Sequence, residues 1–120
     1  MPDFDAYFGD DEAIDAASRA VDAWRRVLRD PSSIALVRGV SDIVAQTVRV
    51  EFSGTGEETE SAAGRSGRQR VVIFGVKDHP TVADTNILAR DRFVINEVQF
   101  QVISVINPPG EIQAFCEAIR

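Results

Sequence analysis

The chain has 120 residues, 44% hydrophobic and 27% charged, and a formal net charge of -6. That length makes one domain with a genuine core, and the acidic balance excludes a conventional duplex-DNA reader, which carries a basic footprint. The longest apolar runs are far too short to span a bilayer and no basic segment leads into an apolar one as in a signal peptide, while the single cysteine excludes an internal disulfide and fits a reducing cytoplasm.

Residues 1–10 read as an N-terminal arm. Phe4, Tyr7 and Phe8 are spaced like one helical face, but Gly9 and Asp10 follow at once. Two readings stand: a frayed terminus with its aromatics folded back on the core, or an arm that docks on a neighbouring subunit. Residues 11–29 are predicted as the helix. Asp10 or Asp11 caps it, and Asp11, Glu12 and Asp15 suit the positive end of its dipole. Arg25, Arg26 and Arg29 suit the other end. Ile14, Ala17, Val21, Trp24 and Leu28 recur at three and four residues, which predicts one apolar stripe lying on a sheet. Asp30-Pro31 ends the helix.

Residues 33–119 carry the strands. Ser33 to Arg38 reads as the first, Gly39 to Asp42 as a turn, and Val44 to Phe52 as the second. Alternation in the second marks a half-exposed antiparallel strand. Residues 53–70 are a different material, with four glycines and no large apolar residue. This composition predicts a mobile hairpin loop, and loops of this length are often functional. Its charge is segregated: Glu57, Glu58 and Glu60 come first, then Arg65, Arg68 and Arg70. Val71 to Lys77 returns as a strand, so the loop is the oversized tip of a hairpin. Asp78 to Arg90 connects, anchored by Ile87 and Leu88.

The last thirty residues organise the chain. Arg92 to Ile95, Val98 to Ile106 and Glu111 to Ile119 are rich in Val, Ile and Phe, with turn residues between. Asn96-Glu97 makes a two-residue turn without the usual glycine. Asn107-Pro108-Pro109-Gly110 is a strong breaker. In the middle strand Val98, Phe100, Val102, Ser104 and Ile106 share one face. Gln99, Gln101, Ile103 and Val105 share the other, which turns apolar toward its end, so both faces are expected to be covered near Ile103.

No catalytic constellation stands out. His79, the only histidine, sits beside Pro80 in a turn and reads as a surface residue. One His and one Cys with no clustered acids make no zinc site. Cys116 lies within a strand and reads as an inert buried thiol. The loop glycines lack the Gly-Lys-Ser/Thr of a phosphate loop. The residues therefore predict a non-enzymatic β-rich domain, without cofactor or metal, with one helix and a long hairpin tip.

Asp84-Thr85-Asn86-Ile87-Leu88-Ala89-Arg90-Asp91-Arg92-Phe93 resembles the "D-x-x-I-x-x-G-D-R-F" segment of small head–tail joining proteins of tailed bacteriophages. The rhythm of Val98 to Val105 resembles the strand that follows in them. Pro109-Gly110-Glu111-Ile112-Gln113-Ala114 resembles their "P-G-x-x-Q-A" turn and last strand, and Ala45 to Val50 an early strand. The likeness spans roughly Ser32 to Ala118. One departure is Arg90, where the pattern prefers Gly: either the positive-φ turn is absent or it is built differently.

That resemblance implies a mainly β (α+β) fold, a small antiparallel β-barrel or sandwich with one N-terminal helix. It implies a homo-oligomeric ring subunit of the virion that closes the head. The adaptor or portal lies above it and tail proteins lie below. Packaged DNA would touch it only non-specifically, and no membrane is involved. Residues 57–70 would then face a neighbouring subunit or the channel. Two other readings remain open: a tail-terminator or other neck ring protein, and a small monomeric ligand-binding barrel.

Overall fold

A computed structural model describes residues 4–53 and 69–119, and only the backbone for residues 4–15 and Ser53. Among the described residues one helix precedes eight strands, two more than the six or so expected. The helix, α1, spans Phe4–Arg29 and runs straight through Gly9 and Asp10. Residues 4–10 are thus helix backbone, not a separate arm, and the helix does not start at residue 11. The side chains of Phe4, Tyr7, Phe8 and Ile14 lie outside the described residues.

The face that α1 buries also differs from the predicted stripe. Ala20, Ala23 and Val27 are buried, Val21 and Trp24 only partly, and Leu28 is 52% exposed. The reason is distance. Small side chains let the helix backbone approach the sheet closely, whereas the larger side chains of the stripe would hold it away. The approach is tightest at Gly110, where an added Cβ would lie 2.5 Å from the backbone N of Ala20. Gly110 also has φ +79, so it meets two demands that only glycine meets together.

The strands are β1 (Ser32–Ile34), β2 (Val37–Arg38), β3 (Ser41–Asp42), β4 (Gln46–Ser53), β5 (Arg70–Val76), β6 (Arg92–Ile95), β7 (Val98–Ile106) and β8 (Glu111–Ala118). They form one antiparallel sheet in the order β1-β4-β5-β8-β7-β6-β2-β3. The fold is mainly β with one helix, a sheet curled into a half-barrel with β1 brought near β6. The predicted first strand is two short ones, β1 and β2. The predicted turn after it is a small hairpin, in which Gly39 at φ 67 helps carry the chain into β3.

The concave side holds the core: Ile34, Leu36, Val48, Ile73, Phe93, Phe100 and Val102 among others. Phe93 and Phe100 face each other across β6 and β7 and stack at 5.5 Å. Asn96 and Glu97 both adopt positive φ, 52 and 69, which is a type I′ turn made without glycine. The alternation of β7 breaks at a bulge, because Val102 pairs with Cys116 while Ser104 pairs with Phe115. Ile103 is the extra residue. Beyond it Val105 packs against the core and Ile106 is exposed. Ile103 itself is 53% exposed, so the outer face there is uncovered in the single chain, contrary to expectation.

Candidate functional site

The segment Asp84–Phe93 is tied to the sheet by side-chain and backbone hydrogen bonds. Asp91 is buried and accepts two parallel hydrogen bonds from Arg38, Nε to Oδ1 at 2.9 Å and Nη2 to Oδ2 at 2.8 Å. Its Oδ2 also accepts the backbone N–H of Leu88 at 2.8 Å. A carboxylate this buried needs such partners, because an unpaired charge is costly away from water. The hydrogen bonds to Asp91 push the guanidinium pKa of Arg38 up, with the carboxylate's charge adding to them against the opposing effect of burial. Arg38 Nη2 reaches Asn86 Oδ1 as well, and the Asn86 N–H donates to Gln46 Oε1. β2, β4 and the connection before β6 are therefore held in one network.

Arg90 has φ 79. The left-handed turn at this position is present with an arginine in place of the pattern's glycine. Its backbone N–H donates to Val102 O at 2.8 Å, and Val102 N–H returns a bond to Asp91 O at 2.8 Å. These bonds clamp the turn onto β7 and hold a conformation that a side chain ordinarily disfavours.

Thr85 forms the other anchor. Its Oγ1 accepts the buried Val76 N–H at 2.9 Å, and its own N–H donates to Val76 O. Gly75 makes room for it: a Cβ there would lie 2.3 Å from that Oγ1. Asp84 Oδ1 accepts the N–H of Asp78, which has φ 64. None of these partners was legible in advance, since each lies across the sheet or the connection.

The predicted site residues divide. Glu57, Glu58, Glu60, Arg65 and Arg68 lie outside the described residues. Arg70 is not a loop residue but the first of β5, beside Glu117 of β8 with Nε 3.6 Å from Oε2. Ser53, likewise, ends β4 and pairs with Arg70. His79 is not a free surface residue. Its Nδ1 accepts the backbone N–H groups of Thr81 and Val82 at 3.0 and 3.1 Å, and its ring meets Trp24 edge-on at 6.4 Å. Cys116 is buried, and burial pushes its thiol pKa up to about 12.

Between α1 and the sheet a cavity of about 150 Å³ is lined by Ala23, Arg26, Arg49, Glu51, Phe74, Gly75 and Glu111. Its charges cancel in pairs: Arg26 with Glu111 and Arg49 with Glu51, each at 2.9 Å. Arg49 Nε is buried there without a hydrogen-bond partner. Among the described residues no three His, Cys, Asp or Glu side chains gather as metal ligands, and no helix is long and apolar enough to cross a membrane.

The geometry thus offers a rigid scaffold with uncovered apolar side chains. Among them are Val40, Val44 and Leu88 around the network, and Ile103, Ile106 and Phe115 on the outer face of β7 and β8; Leu28, Phe52 and Val94 are exposed as well. No family model, no curated protein and no solved structure matches the chain.

Proposed function

We propose that the chain is a structural virion protein, a ring-forming head-closure or stopper subunit of a bacteriophage head-to-tail connector. It bridges the portal or adaptor and the tail, and it helps to retain packaged DNA. The observation that carries this reading is the built character of Asp84–Phe93, the segment that bears the resemblance. Its Asp91 is the buried hub of the network and its Phe93 is stacked in the core. Its Arg90 keeps a left-handed turn where the pattern prefers glycine.

The role is one of assembly rather than catalysis. His79 lends its Nδ1 to backbone donors and Cys116 lies in the core, so neither is poised as base or nucleophile. One helix ahead of all the strands favours head closure over a tail terminator, which calls for helices between strands. Core side chains fill the concave side where a monomeric binding barrel would hold its ligand. Ring formation gives the uncovered apolar residues a use.

The segregated charge of residues 57–68 suits a neighbouring subunit or the channel. Replacing Glu57 to Arg68 with a short Gly-Ser turn tests this. The isolated subunit should stay folded, and particles should lose DNA or fail to join tails. Particles that package, retain DNA and join tails normally would sink the loop's role.

A further inference from the structure

Arg38 and Arg49 use the same fork of donors differently. Arg38 gives both Nε and Nη2 to the two oxygens of Asp91. Arg49 gives Nη2 to Glu51 Oε2 at 2.9 Å, while its Nε is buried with no hydrogen-bond partner among the described residues. Its Nη1 makes only a long contact, 3.5 Å, with Arg26 O. The strand explains the difference. Arg49 and Glu51 are two apart on the outer face of β4, so the carboxylate comes alongside and one oxygen meets one prong. A buried donor left unpaired is costly, and this one is on a charged group. It calls for an acceptor.

The acceptor has a place to sit. Arg49 lines the cavity of about 150 Å³ beneath α1, which has Ala23 and Phe74 as apolar walls. Phe74 is the cross-strand neighbour of Arg49. The volume holds on the order of five water-sized groups at about 30 Å³ each.

The charges around the cavity select the acceptor. Arg26 pairs with Glu111 and Arg49 with Glu51, so neither sign is in excess. An anion could accept from Arg49 Nε but would meet both carboxylates, and that of Glu111 is only 14% exposed, where water screens it little. A cation has nothing to offer a donor. A neutral acceptor avoids both faults. The two glutamates are themselves acceptors only, so the best ligand also brings donors. One small neutral group carries a carbonyl oxygen and two N–H donors together, the primary carboxamide.

We propose that this cavity binds a primary carboxamide, either a small free amide or the end of a glutamine or asparagine side chain. Its carbonyl oxygen accepts the Arg49 Nε–H, and its amide nitrogen donates to Glu51 or Glu111. Its alkyl part lies against Phe74 and Ala23. The site does not depend on the head-closure reading, and each fails without the other.

The test is an NMR titration of the isotope-labelled full chain with propionamide. It is read at the Arg49 Nε–Hε signal, which is assigned by its loss in Arg49→Lys. Propionate is the control, with the same shape but a negative charge and no donor. Propionamide should shift the signal saturably and propionate should not. Arg49→Lys keeps a cation beside Glu51 but has no Nε–H. It should bind propionamide about tenfold more weakly, the scale of one hydrogen bond to a charged group, read at the backbone amides of Gly75 and Glu111. N-acetylglutamine methylamide separates the two sources. Binding as tight as propionamide's identifies a protein side chain, and its exclusion identifies a free amide. A propionamide shift that stays linear to the solubility limit overturns the proposal. So does an equal response to propionate, or unchanged affinity in Arg49→Lys. If Arg49→Lys fails to fold by circular dichroism, the contrast between propionamide and propionate on the wild type decides.

Discussion

Arg38 and Asp91 are 53 residues apart in the chain and joined by two parallel hydrogen bonds, at 2.9 and 2.8 Å. The pair links the second strand to the turn before the sixth. Asp91 is 1% exposed on its side chain and Arg38 31%, so the carboxylate is the member that depends on its partner.

Arg38→Leu should therefore destabilise the subunit by about 3–5 kcal/mol, the range for removing one partner of a buried ion pair. Urea unfolding measures it. Arg38→Lys should recover only part, because an ammonium cannot reproduce the two-pronged contact. A loss below about 1 kcal/mol for Arg38→Leu, the scale of a surface change, would show that Asp91 is satisfied by Leu88 N–H and water alone.

Glu97 and Arg90 hold left-handed backbone without glycine, at φ 69 and 79. That conformation costs a side-chain-bearing residue about 1–2 kcal/mol. The extra freedom of glycine in the unfolded chain returns roughly 0.4–1 kcal/mol of the gain. Glu97→Gly should stabilise the protein by a net 0.5–1 kcal/mol or so, and Arg90→Gly should act in the same direction. A lower urea midpoint for Glu97→Gly would mean that the side chain makes contacts worth more than the turn's strain.

Gly75→Ala should destabilise by about 1–3 kcal/mol, the range for overpacking, since the new methyl meets Thr85 Oγ1 at 2.3 Å. Thr85→Ala alone should lose about 1–3 kcal/mol by orphaning the buried Val76 N–H. The double variant removes Oγ1 and Cγ2 but keeps the Thr85 Cβ, 2.6 Å from the new methyl, so the clash is relieved in part and its loss should fall modestly short of the sum. Additive losses would place the two residues in separate environments.

Burial pushes the Cys116 thiol from an ordinary 9.0 up to about 12. A folded-state pKa raised above the unfolded one favours the neutral thiol in the native state. Its contribution to stability is full below pH 9 and is lost as pH rises toward 12. Ellman's reagent at pH 8 should find no thiol in the native protein and one in urea. Cys116→Ala should flatten the alkaline fall in stability, and an unchanged fall would assign it to other groups.

The strands were legible where alternation is local. β4, β5 and the three strands after Arg90 follow from Val, Ile and Phe at period two, and Pro108-Pro109-Gly110 marks the last turn. The helix face was not, because the largest apolar residues, Trp24 and Leu28, suggested the contact while Ala20 and Ala23 make it. Gly9 looked like a stop, yet one glycine is a tolerable cost within a helix of 26 residues. The bulge at Ile103 leaves no mark in the alternation before it. The site was half legible. Asp84–Phe93 stood out by resemblance, but the partners of Thr85, Arg90 and Asp91 are set by sheet curvature, which period and propensity do not encode.

The proposed role is to close the head at the neck of a phage particle. Cryo-electron microscopy of the head–tail junction, in particles from the virus that carries the gene, tests it most directly. The expected result is a closed ring of this half-barrel fold between the portal or adaptor and the tail. A junction without this chain, or the chain present as isolated monomers elsewhere in the particle, would contradict it.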